Sequence, residues 1–316
     1  MQKKIYYENI SLTLIIWSFY MSNKPEVCIL PVAGLSTRNL PATKVLHKGF
    51  LTLNNLPIIQ YAIDACKEIG VKEIVFIYSD QSCKHLFEKY YAPYPWLEEH
   101  LAKKGKNDLL KAIKDIIPDG MKFSFAEQKE PLGNGHAILM AKEIVGKRDF
   151  IVMWPDDIYI NFHGEGVLKQ LSDVYEKTGG MVENIMEFPK EEMVRYGALV
   201  GAVRDGRTVQ AQGLVEKPKL EEVPSNYASM GPYILPNVIM DILPEVKNGS
   251  NGEINLTDAM NLAAQRGVPL TGVLCRGLRF DCGTNDELAK SNLKLSLMLN
   301  PDLRAYAKEL LDTILV

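Results

Sequence analysis

Residues 27–48 read V-C-I-L-P-V-A-G-L-S-T-R-N-L-P-A-T-K-V-L-H-K. The apolar run at 27–30 is long enough for a buried strand. It opens into a loop of small residues that also carries the cations Arg38, Lys44 and Lys48. Backbone N–H groups approach oxygens closely where side chains are small, and the cations neutralise negative charge. This stretch therefore predicts a strand followed by a binding site for a polyphosphate.

Composition narrows the class of ligand. The 316 residues are 47% hydrophobic and 24% charged, with a formal net charge of −3. These values are typical of a globular protein, and a slightly acidic chain has no overall basic field for nucleic acid. We therefore expect a small anionic ligand and no nucleic-acid partner. The five cysteines have no C-x-x-C spacing, which favours buried thiols in a cytoplasmic protein over zinc ligands or disulfides.

Residues 1–21 differ from the rest of the chain. Lys3 and Lys4 precede an apolar run at 12–20 that is too short to span a bilayer, and no small-residue cleavage site follows it. Met-Ser-Asn-Lys at 21–24 resembles a natural start just before the first strand. We expect residues 1–21 to be an N-terminal extension that is disordered or not native, and we expect no membrane partner. A membrane-surface anchor is the alternative.

Strand and helix patterns alternate in the first half of the chain. Helix signals begin near Pro57 and stop at Gly70, and a second helix is expected over 136–145 with Gly146 as its stop. The predicted strands are 27–30, 73–78, 122–126 and 150–154. This alternation predicts an α/β fold, with a doubly wound, mostly parallel (Rossmann-like) sheet and helices on both faces.

The second half predicts a small β insertion, one capped helix and a helical arm. Residues 196–203 and 210–215 are expected to pair as strands, and Asn255 is expected to cap a helix that ends near 265. We expect one domain over residues 22–284 and a C-terminal helical arm over residues 285–316.

Polar residues follow the predicted strands. In open parallel sheets the ligand binds at the carboxyl ends of the strands, so these residues are expected to converge. Arg38 and Lys48 follow the first strand, Gln128 and Gly133 the third, and Asp156 the fourth. An amide suits a base edge, a glycine lets a planar base approach the backbone, and a carboxylate suits Mg²⁺ on phosphates. Together they indicate a nucleoside triphosphate with a divalent metal.

Most of these residues also have a purely structural interpretation. Gly133 and Gly135 can equally well serve only to form a turn and the start of a helix. Asp156 or Asp157 can cap a turn, and His136 is expected to cap or pack rather than to catalyse.

Two later clusters add chemistry. Glu216 can accept hydrogen bonds from sugar hydroxyls and Lys217 can meet a phosphate, or the pair can be a solvated charged edge. Asp281, followed by Cys282 and Gly283, is either a second metal carboxylate or a capping residue in a turn.

These motifs together resemble the bacterial UTP–glucose-1-phosphate uridylyltransferases, or UDP-glucose pyrophosphorylases, a family of nucleotidyltransferases. The resemblance covers residues 27–284. It rests on P-V-A-G-L-S-T-R-N-L-P-A-T-K at 31–44, Q-K-E-P-L-G-N-G-H-A at 128–137, P-D-D-I at 155–158, R-Y-G at 195–197, V-E-K-P-K at 215–219, P-S-N-Y-A-S-M-G-P-Y at 224–233, G-E-I-N-L-T-D-A at 252–259 and D-C-G at 281–283. The combination of L-P-A-T-K with V-E-K-P-K in this order is highly specific.

The resemblance implies an enzyme of carbohydrate metabolism that uses Mg²⁺, takes UTP and glucose 1-phosphate, and forms a homodimer or homotetramer. It implies catalytic roles for Arg38 on the triphosphate, Lys48 on the α-phosphate and Lys217 on the sugar phosphate. The implied metal ligands are Asp156 and, as a second carboxylate, Asp281. The implied substrate-binding residues are Ala33 and Gly34 for the nucleoside, Gln128 and Gly133 for uracil, and Gly197, Glu216, Asn226 and Gly231 for glucose.

The chain also departs from the family pattern. Ser36 replaces a loop glycine, and Pro232 replaces an arginine. The family commonly has a P-K-E-M segment around the lysine, where this chain has His47, Lys48, Gly49 and Phe50, so the acidic neighbour is lost at Gly49. Two alternatives to UDP-glucose synthesis therefore stay open: the same chemistry with dTTP or another sugar 1-phosphate, and a catalytically impaired regulator that binds nucleotide sugars. A nicotinamide dehydrogenase is disfavoured because the G-x-G-x-x-G fingerprint is missing.

Overall fold

The computed structural model describes residues 24–246 and 252–314, so the predicted extension over 1–21 lies outside the described residues. The strands are β1 (Val27–Pro31), β2 (Thr52–Leu53), β3 (Leu56–Pro57), β4 (Glu73–Tyr78), β5 (Lys122–Glu127), β6 (Phe150–Val152), β7 (Asp157–Ile160), β8 (Met181–Glu187), β9 (Gly197–Val200), β10 (Val203–Asp205), β11 (Thr208–Ala211), β12 (Gly213–Glu216), β13 (Tyr227–Leu235), β14 (Leu270–Val273) and β15 (Leu278–Asp281). The helices are α1 (Ile58–Ile69), α2 (Gln81–Tyr90), α3 (Pro95–Lys103), α4 (Asn107–Asp115), α5 (Asn134–Leu139), α6 (Lys142–Val145), α7 (Val167–Thr178), α8 (Val238–Ile242), α9 (Leu256–Gln265), α10 (Asn285–Leu299) and α11 (Pro301–Ile314).

One large sheet forms the centre of the molecule. Its strand order is β10-β11-β14-β8-β13-β6-β1-β4-β5, and β9 and β12 form a branch that joins at β13. Parallel pairs join β1 to β4 and β6, β4 to β5, and β8 to β14. In the described sheet, antiparallel pairing reverses β11, β12 and β13 relative to the other strands. The predicted mostly parallel sheet is confirmed.

Helices cover both faces of this sheet. On one face, α1, α2 and α7 pack on residues such as Cys28, Leu30 and Phe76. On the other, α5, α8 and α9 pack on residues such as Ile29 and Val75. The side chains of a strand alternate between the faces, so a strand covered on both sides must be apolar throughout. The continuous apolar runs in β1 and β4 meet this requirement.

The second half follows the predicted hairpin with one interruption. β9 pairs with β12 and β10 with β11, both in the same antiparallel register. Gly201 lies between the two pairs, and its left-handed backbone (φ 61°) and its closeness to the Gln212 side chain both favour glycine there. The pair β10–β11 joins the sheet through β11 beside β14, and the pair β9–β12 joins it through β9 beside β13.

Two local predictions differ from the structure. The helix expected over 136–145 is divided into α5 and α6. The Asn255 side chain does not cap α9, since Asn134 Oδ1 accepts the Leu256 N–H at 2.8 Å instead. The N-terminus of α9 is thereby tied to the N-terminus of α5.

None of the helices in residues 24–246 and 252–314 has the length and apolar content needed to cross a bilayer. All five cysteines are free.

Candidate active site

A cavity of about 460 Å³ lies beyond the carboxyl end of β6, beside β12, β13 and β15. It brings together residues from widely separated parts of the chain. Those that the sequence had singled out are Arg38, Asp156, Gly197, Glu216, Lys217 and Asp281. Asp156 and Lys217 therefore share one cavity.

Three charged side chains meet around Gly283. An added Cβ at this glycine would lie 3.1 Å from Asp281 Oδ1, 3.4 Å from Asp156 Oδ2 and 3.9 Å from Arg38 Nη2. The absence of a side chain at 283 keeps the space between the two carboxylates open. This space is suited to a small cation that both carboxylates can reach.

The two aspartates at 156 and 157 have different partners. Asp156 Oδ2 accepts a hydrogen bond from Lys48 Nζ at 2.6 Å. Asp157 Oδ1 is 2.6 Å from Arg279 Nε, and its Oδ2 accepts from the Tyr159 hydroxyl at 3.0 Å. Burial raises the pKa of the Asp157 carboxyl, and the Arg279 guanidinium acts against that rise. Among the described residues, side chains of the protein hold both carboxylate oxygens of Asp157 but only Oδ2 of Asp156, so Asp156 is the better candidate for a metal ligand.

The donor set fits a divalent cation that is completed by substrate. Mg²⁺ is commonly held by one or two carboxylates together with phosphates and waters. Asp156 and Asp281 supply two such carboxylates, although Asp281 also accepts from Gly283 N at 2.8 Å and from Arg279 Nη2 at 3.0 Å. Within the described ranges, no three His, Cys, Asp or Glu side chains converge as a metal cluster.

Lys48 is positioned by the residues on either side of it. His47 caps the single helical turn Lys48–Phe50, because its Nδ1 accepts the Gly49 N–H at 2.9 Å. The His47 ring packs against Phe87 with 5.2 Å between centroids. A Cβ at Gly49 would lie 3.1 Å from His47 Nδ1. The histidine at 47 and the glycine at 49 are therefore fitted to each other.

The loop after β1 lies beside this turn. Ser36 has a left-handed backbone (φ 54°, ψ 30°), a conformation that the glycine expected here from the resemblance would adopt without steric cost. Gly34 has no atom within 4 Å of an added Cβ and lines a second cavity of about 470 Å³ together with Lys44. Ala33 packs against the core instead.

Gln128 and Gly133 lie outside the 460 Å³ cavity. Gln128 Nε2 is 3.0 Å from both Gly133 O and His136 Nδ1, so its amide holds the turn that leads into α5. Gly133 has φ 108°, and a Cβ there would lie 2.5 Å from Ile254 O. The close neighbour of this glycine is protein backbone, a structural need that the sequence did not reveal.

The far end of the cavity is formed by the hairpin. Glu216 Oε1 lies 3.6 Å from Lys217 Nζ, and its Oε2 lies 3.2 Å from an added Cβ at Gly197. Lys217 is left-handed (φ 45°), a strained conformation that is enriched at functional sites. Asn226 and Gly231 do not line this cavity: Asn226 is exposed, and Gly231 lies against the Tyr233 ring.

Several other residues of the cavity had not been predicted. They are Arg195, Ser229, Tyr233, Thr257 and Arg279. Four of them fall within motifs already quoted, but no spacing rule indicated which side chains of those motifs face inward. Arg279 carried no signal, because a lone arginine in a strand is usually solvated.

Most of the chain is similar to known nucleotidyltransferases. The family model described as "Nucleotidyl transferase" matches residues 28–296. A UTP–glucose-1-phosphate uridylyltransferase of Pseudomonas aeruginosa is 37% identical over 257 residues, which is 81% of this chain and 91% of that protein.

Two solved structures are also similar. A UDP-glucose pyrophosphorylase complexed with UDP-glucose has a TM-score of 0.76 and 32% identity over 90% of this chain and 99% of its own. The UTP-bound enzyme of Acinetobacter baumannii has a TM-score of 0.81 and 31% identity over 91% and 98%. The resemblance noted in the sequence is confirmed, and the chain belongs to the nucleotidyl transferase family, in which its relatives are UTP–glucose-1-phosphate uridylyltransferases.

Proposed function

We propose that this enzyme transfers a uridylyl group from UTP to glucose 1-phosphate, forming UDP-glucose and pyrophosphate. The observation that carries the proposal is the convergence of Arg38, Asp156, Lys217 and Asp281 on one cavity. Two cations and two carboxylates in one cleft suit two phosphorylated reactants and a metal. The names of the relatives, and the UTP and UDP-glucose in the solved structures, support the same reaction.

The nucleotide is proposed to bind along the loop after β1. Ala33 and Gly34 contact the nucleoside there, Arg38 binds the triphosphate tail, and Gln128 and Gly133 read uracil. The Gln128 amide N–H groups are engaged by Gly133 O and His136. Its carbonyl oxygen is therefore the atom we propose for the uracil N–H.

The sugar phosphate is proposed to bind at the hairpin end of the cavity. Glu216 accepts hydrogen bonds from glucose hydroxyls, Gly197 leaves room for the ring, and Asn226 and Gly231 lie in the segment that closes this end. Lys217 binds the phosphate of glucose 1-phosphate. Its side chain is 62% exposed, which leaves it accessible to that phosphate.

The chemistry needs positioning more than proton transfer. A glucose 1-phosphate oxygen, already an anion, attacks the α-phosphorus of UTP in line with the departing pyrophosphate. Two unit charges at 4 Å repel by about 4 kcal/mol at an effective dielectric of ~20. Lys48, Arg38 and Lys217 offset this repulsion and align the reactants. Asp156 and Asp281 would hold Mg²⁺, which when bound neutralises phosphate charge.

The remaining proposals concern organisation. We propose that the enzyme acts in the cytoplasm, in keeping with its free cysteines. Residues 22–284 are proposed to form the nucleotidyltransferase domain. Residues 285–316 are proposed to be an arm that assembles a homodimer or homotetramer, supported by the exposed apolar residues Leu293, Tyr306 and Leu311.

A pyrophosphate-release assay tests the function. It should be run with UTP, dTTP, CTP, ATP and GTP against several sugar 1-phosphates. We expect the highest kcat/KM for UTP with glucose 1-phosphate, and a loss of at least ~100-fold for Lys217→Ala. Lys219→Ala is the matched control, since Lys219 is 80% exposed and does not line the cavity. UDP-glucose binding without pyrophosphate release for any pair would identify a regulator instead.

A further inference from the structure

A buried acid lies behind the sugar end of the cavity. Glu183, on β8, has no exposed surface. Its Oε2 is hydrogen-bonded to Ser229 Oγ on the neighbouring strand β13, and its Oε1 has no hydrogen-bond partner within the described residues. Among the described residues, none forms an ion pair with Glu183. Burying such a group costs stability, which points to a role in function.

A bulge in β13 connects this acid to the cavity. Ser229 is paired with Ile185 and Tyr233 with Glu183, so residues 230–232 lie opposite Asn184 alone and β13 carries two extra residues here. The bulge brings Ser229 Oγ to 3.4 Å from the Tyr233 hydroxyl oxygen, and both side chains line the cavity. Ser229 Cβ lies 3.4 Å from an added Cβ at Gly197. Glu183 is therefore linked to the cavity through the Ser229 hydroxyl.

The surroundings of Glu183 favour its neutral form. β13 contributes Ser229 and Tyr233, β14 contributes Gly272 at the paired position, and α9 contributes apolar side chains to the core on this face. The charges of Glu183 and Glu216 both raise the pKa of the neighbouring Tyr233 hydroxyl. Burial raises the pKa of Glu183 to about 8.

We propose that Glu183 is a positioning residue that sets the direction of the Ser229 hydroxyl and thereby the affinity for the sugar 1-phosphate. A neutral Glu183 donates its proton to Ser229 Oγ, and the Ser229 hydrogen then points into the cavity toward a sugar oxygen. An ionised Glu183 accepts that hydrogen, and the cavity loses a donor. This inference rests on the proposed function and adds a determinant of its sugar specificity.

The test is the pH dependence of two separate KM values. For the wild-type enzyme we expect the KM for glucose 1-phosphate to rise about fivefold from pH 7 to pH 9, the size of one lost hydrogen bond. Glu183→Gln should keep the low KM and show no rise, because its amide donates at every pH. Glu183→Met should have a KM raised about fivefold at both pH values. The KM for UTP should not change in any of these enzymes.

Thr271→Val is the matched control. Thr271 is also buried and polar, but it is paired with Val182 on β8 and its hydroxyl bonds Gln210. Its loss should lower the melting temperature and leave both KM values unchanged. A wild-type pH profile in Glu183→Gln would overturn the proposal, as would equal changes in both KM values for Glu183→Met. If Glu183→Met does not fold, the Glu183→Gln profile decides.

Failure of the proposed function would be visible separately, as a wild-type enzyme that releases no pyrophosphate. UDP-glucose binding, measured by calorimetry at pH 7 and pH 9, then replaces the KM values. Wild-type affinity should fall about fivefold with the rise in pH, and that of Glu183→Gln should not. An equal response in both proteins would overturn the role of Glu183.

Discussion

Lys48 Nζ lies 2.6 Å from Asp156 Oδ2, so a lysine proposed to bind phosphate neutralises the carboxylate proposed to bind metal. The two side chains are linked although the strands before them, β1 and β6, come from distant parts of the chain. Their parallel pairing brings the ends of these strands together. A metal bound to Asp156 would therefore compete with Lys48 until a phosphate engaged the lysine.

Replacing Lys48 should separate catalysis from metal binding. In Lys48→Met we expect turnover to fall ~100-fold or more, because a charge that stabilises the reacting phosphates is lost. Mn²⁺ should bind the nucleotide-free variant more tightly than the wild type, as followed by electron paramagnetic resonance. Asp156→Asn should lose both turnover and Mn²⁺ binding. Lys103→Met, on an exposed face of α3, is the control. Unchanged Mn²⁺ affinity in Lys48→Met would contradict competition between lysine and metal.

The open space at Gly283 should be needed for the metal. In Gly283→Ala the new Cβ would lie 3.1 Å from Asp281 Oδ1 and 3.4 Å from Asp156 Oδ2. We expect the Mg²⁺ concentration for half-maximal activity to rise at least ~10-fold, with a change in unfolding free energy below ~1 kcal/mol. Activity at increasing Mg²⁺ and thermal denaturation measure the two quantities. An unchanged Mg²⁺ requirement would show that the metal does not occupy this space.

His47 should make stability depend on pH. Burial, with a smaller contribution from the Lys48 charge, lowers the pKa of His47 to about 4, below the ~6.5 of an unfolded chain. Between these values the unfolded state binds a proton and the folded state does not. Falling pH therefore destabilises the wild type, by at most about 3 kcal/mol.

His47→Asn keeps an acceptor for the Gly49 N–H but cannot titrate in this range. The stability of the wild type minus that of His47→Asn should decrease from pH 7 to pH 4.5 in urea denaturation. The subtraction removes the contribution of acids elsewhere. A difference that stays constant with pH would show that His47 is not the group responsible.

Ser36→Gly should stabilise the loop after β1. Ser36 has a left-handed backbone (φ 54°), which costs a residue with a Cβ about 1–2 kcal/mol. Glycine removes this cost, but its greater conformational freedom in the unfolded chain offsets part of the stabilisation. We expect a net gain of about 0.5–1 kcal/mol in unfolding free energy. Asn55→Gly, at φ 67°, is the control and should gain less because asparagine tolerates this conformation. Equal gains at both positions would argue against specific strain at Ser36.

The sequence predicted those parts of the fold that depend on local pattern. Runs such as 27–30 and 73–78 were identified because strands buried on both faces must be apolar throughout. The insertion of β13 between β6 and β8 could not be predicted, because it depends on pairings between residues far apart in the chain. Asn134 is a similar case, since its contact with Leu256 crosses more than a hundred residues.

In the candidate site too, some residues could be predicted from local sequence pattern and others only from the folded structure. Lys48, Asp156 and Lys217 each come after an apolar run that predicts a strand, so strand ends led to them. Glu183 was missed because an acid between Val182 and Asn184 looks like an exposed position of a strand. A signal was nevertheless present: Met181 and Ile185 flank it on the same face. An acid flanked by apolar residues on one strand face therefore indicates a buried acid.

The continuity of β13 limits how this enzyme can open. That single strand is hydrogen-bonded to β6 on one side and to β8 and β9 on the other. Moving the part proposed to bind the nucleotide away from the part proposed to bind the sugar would break main-chain hydrogen bonds along β13, at a cost of about 1 kcal/mol each. We therefore expect the opening of the cavity to widen only through movements of its loops and its hairpin. We also expect turnover to involve small local movements rather than the hinging of two lobes.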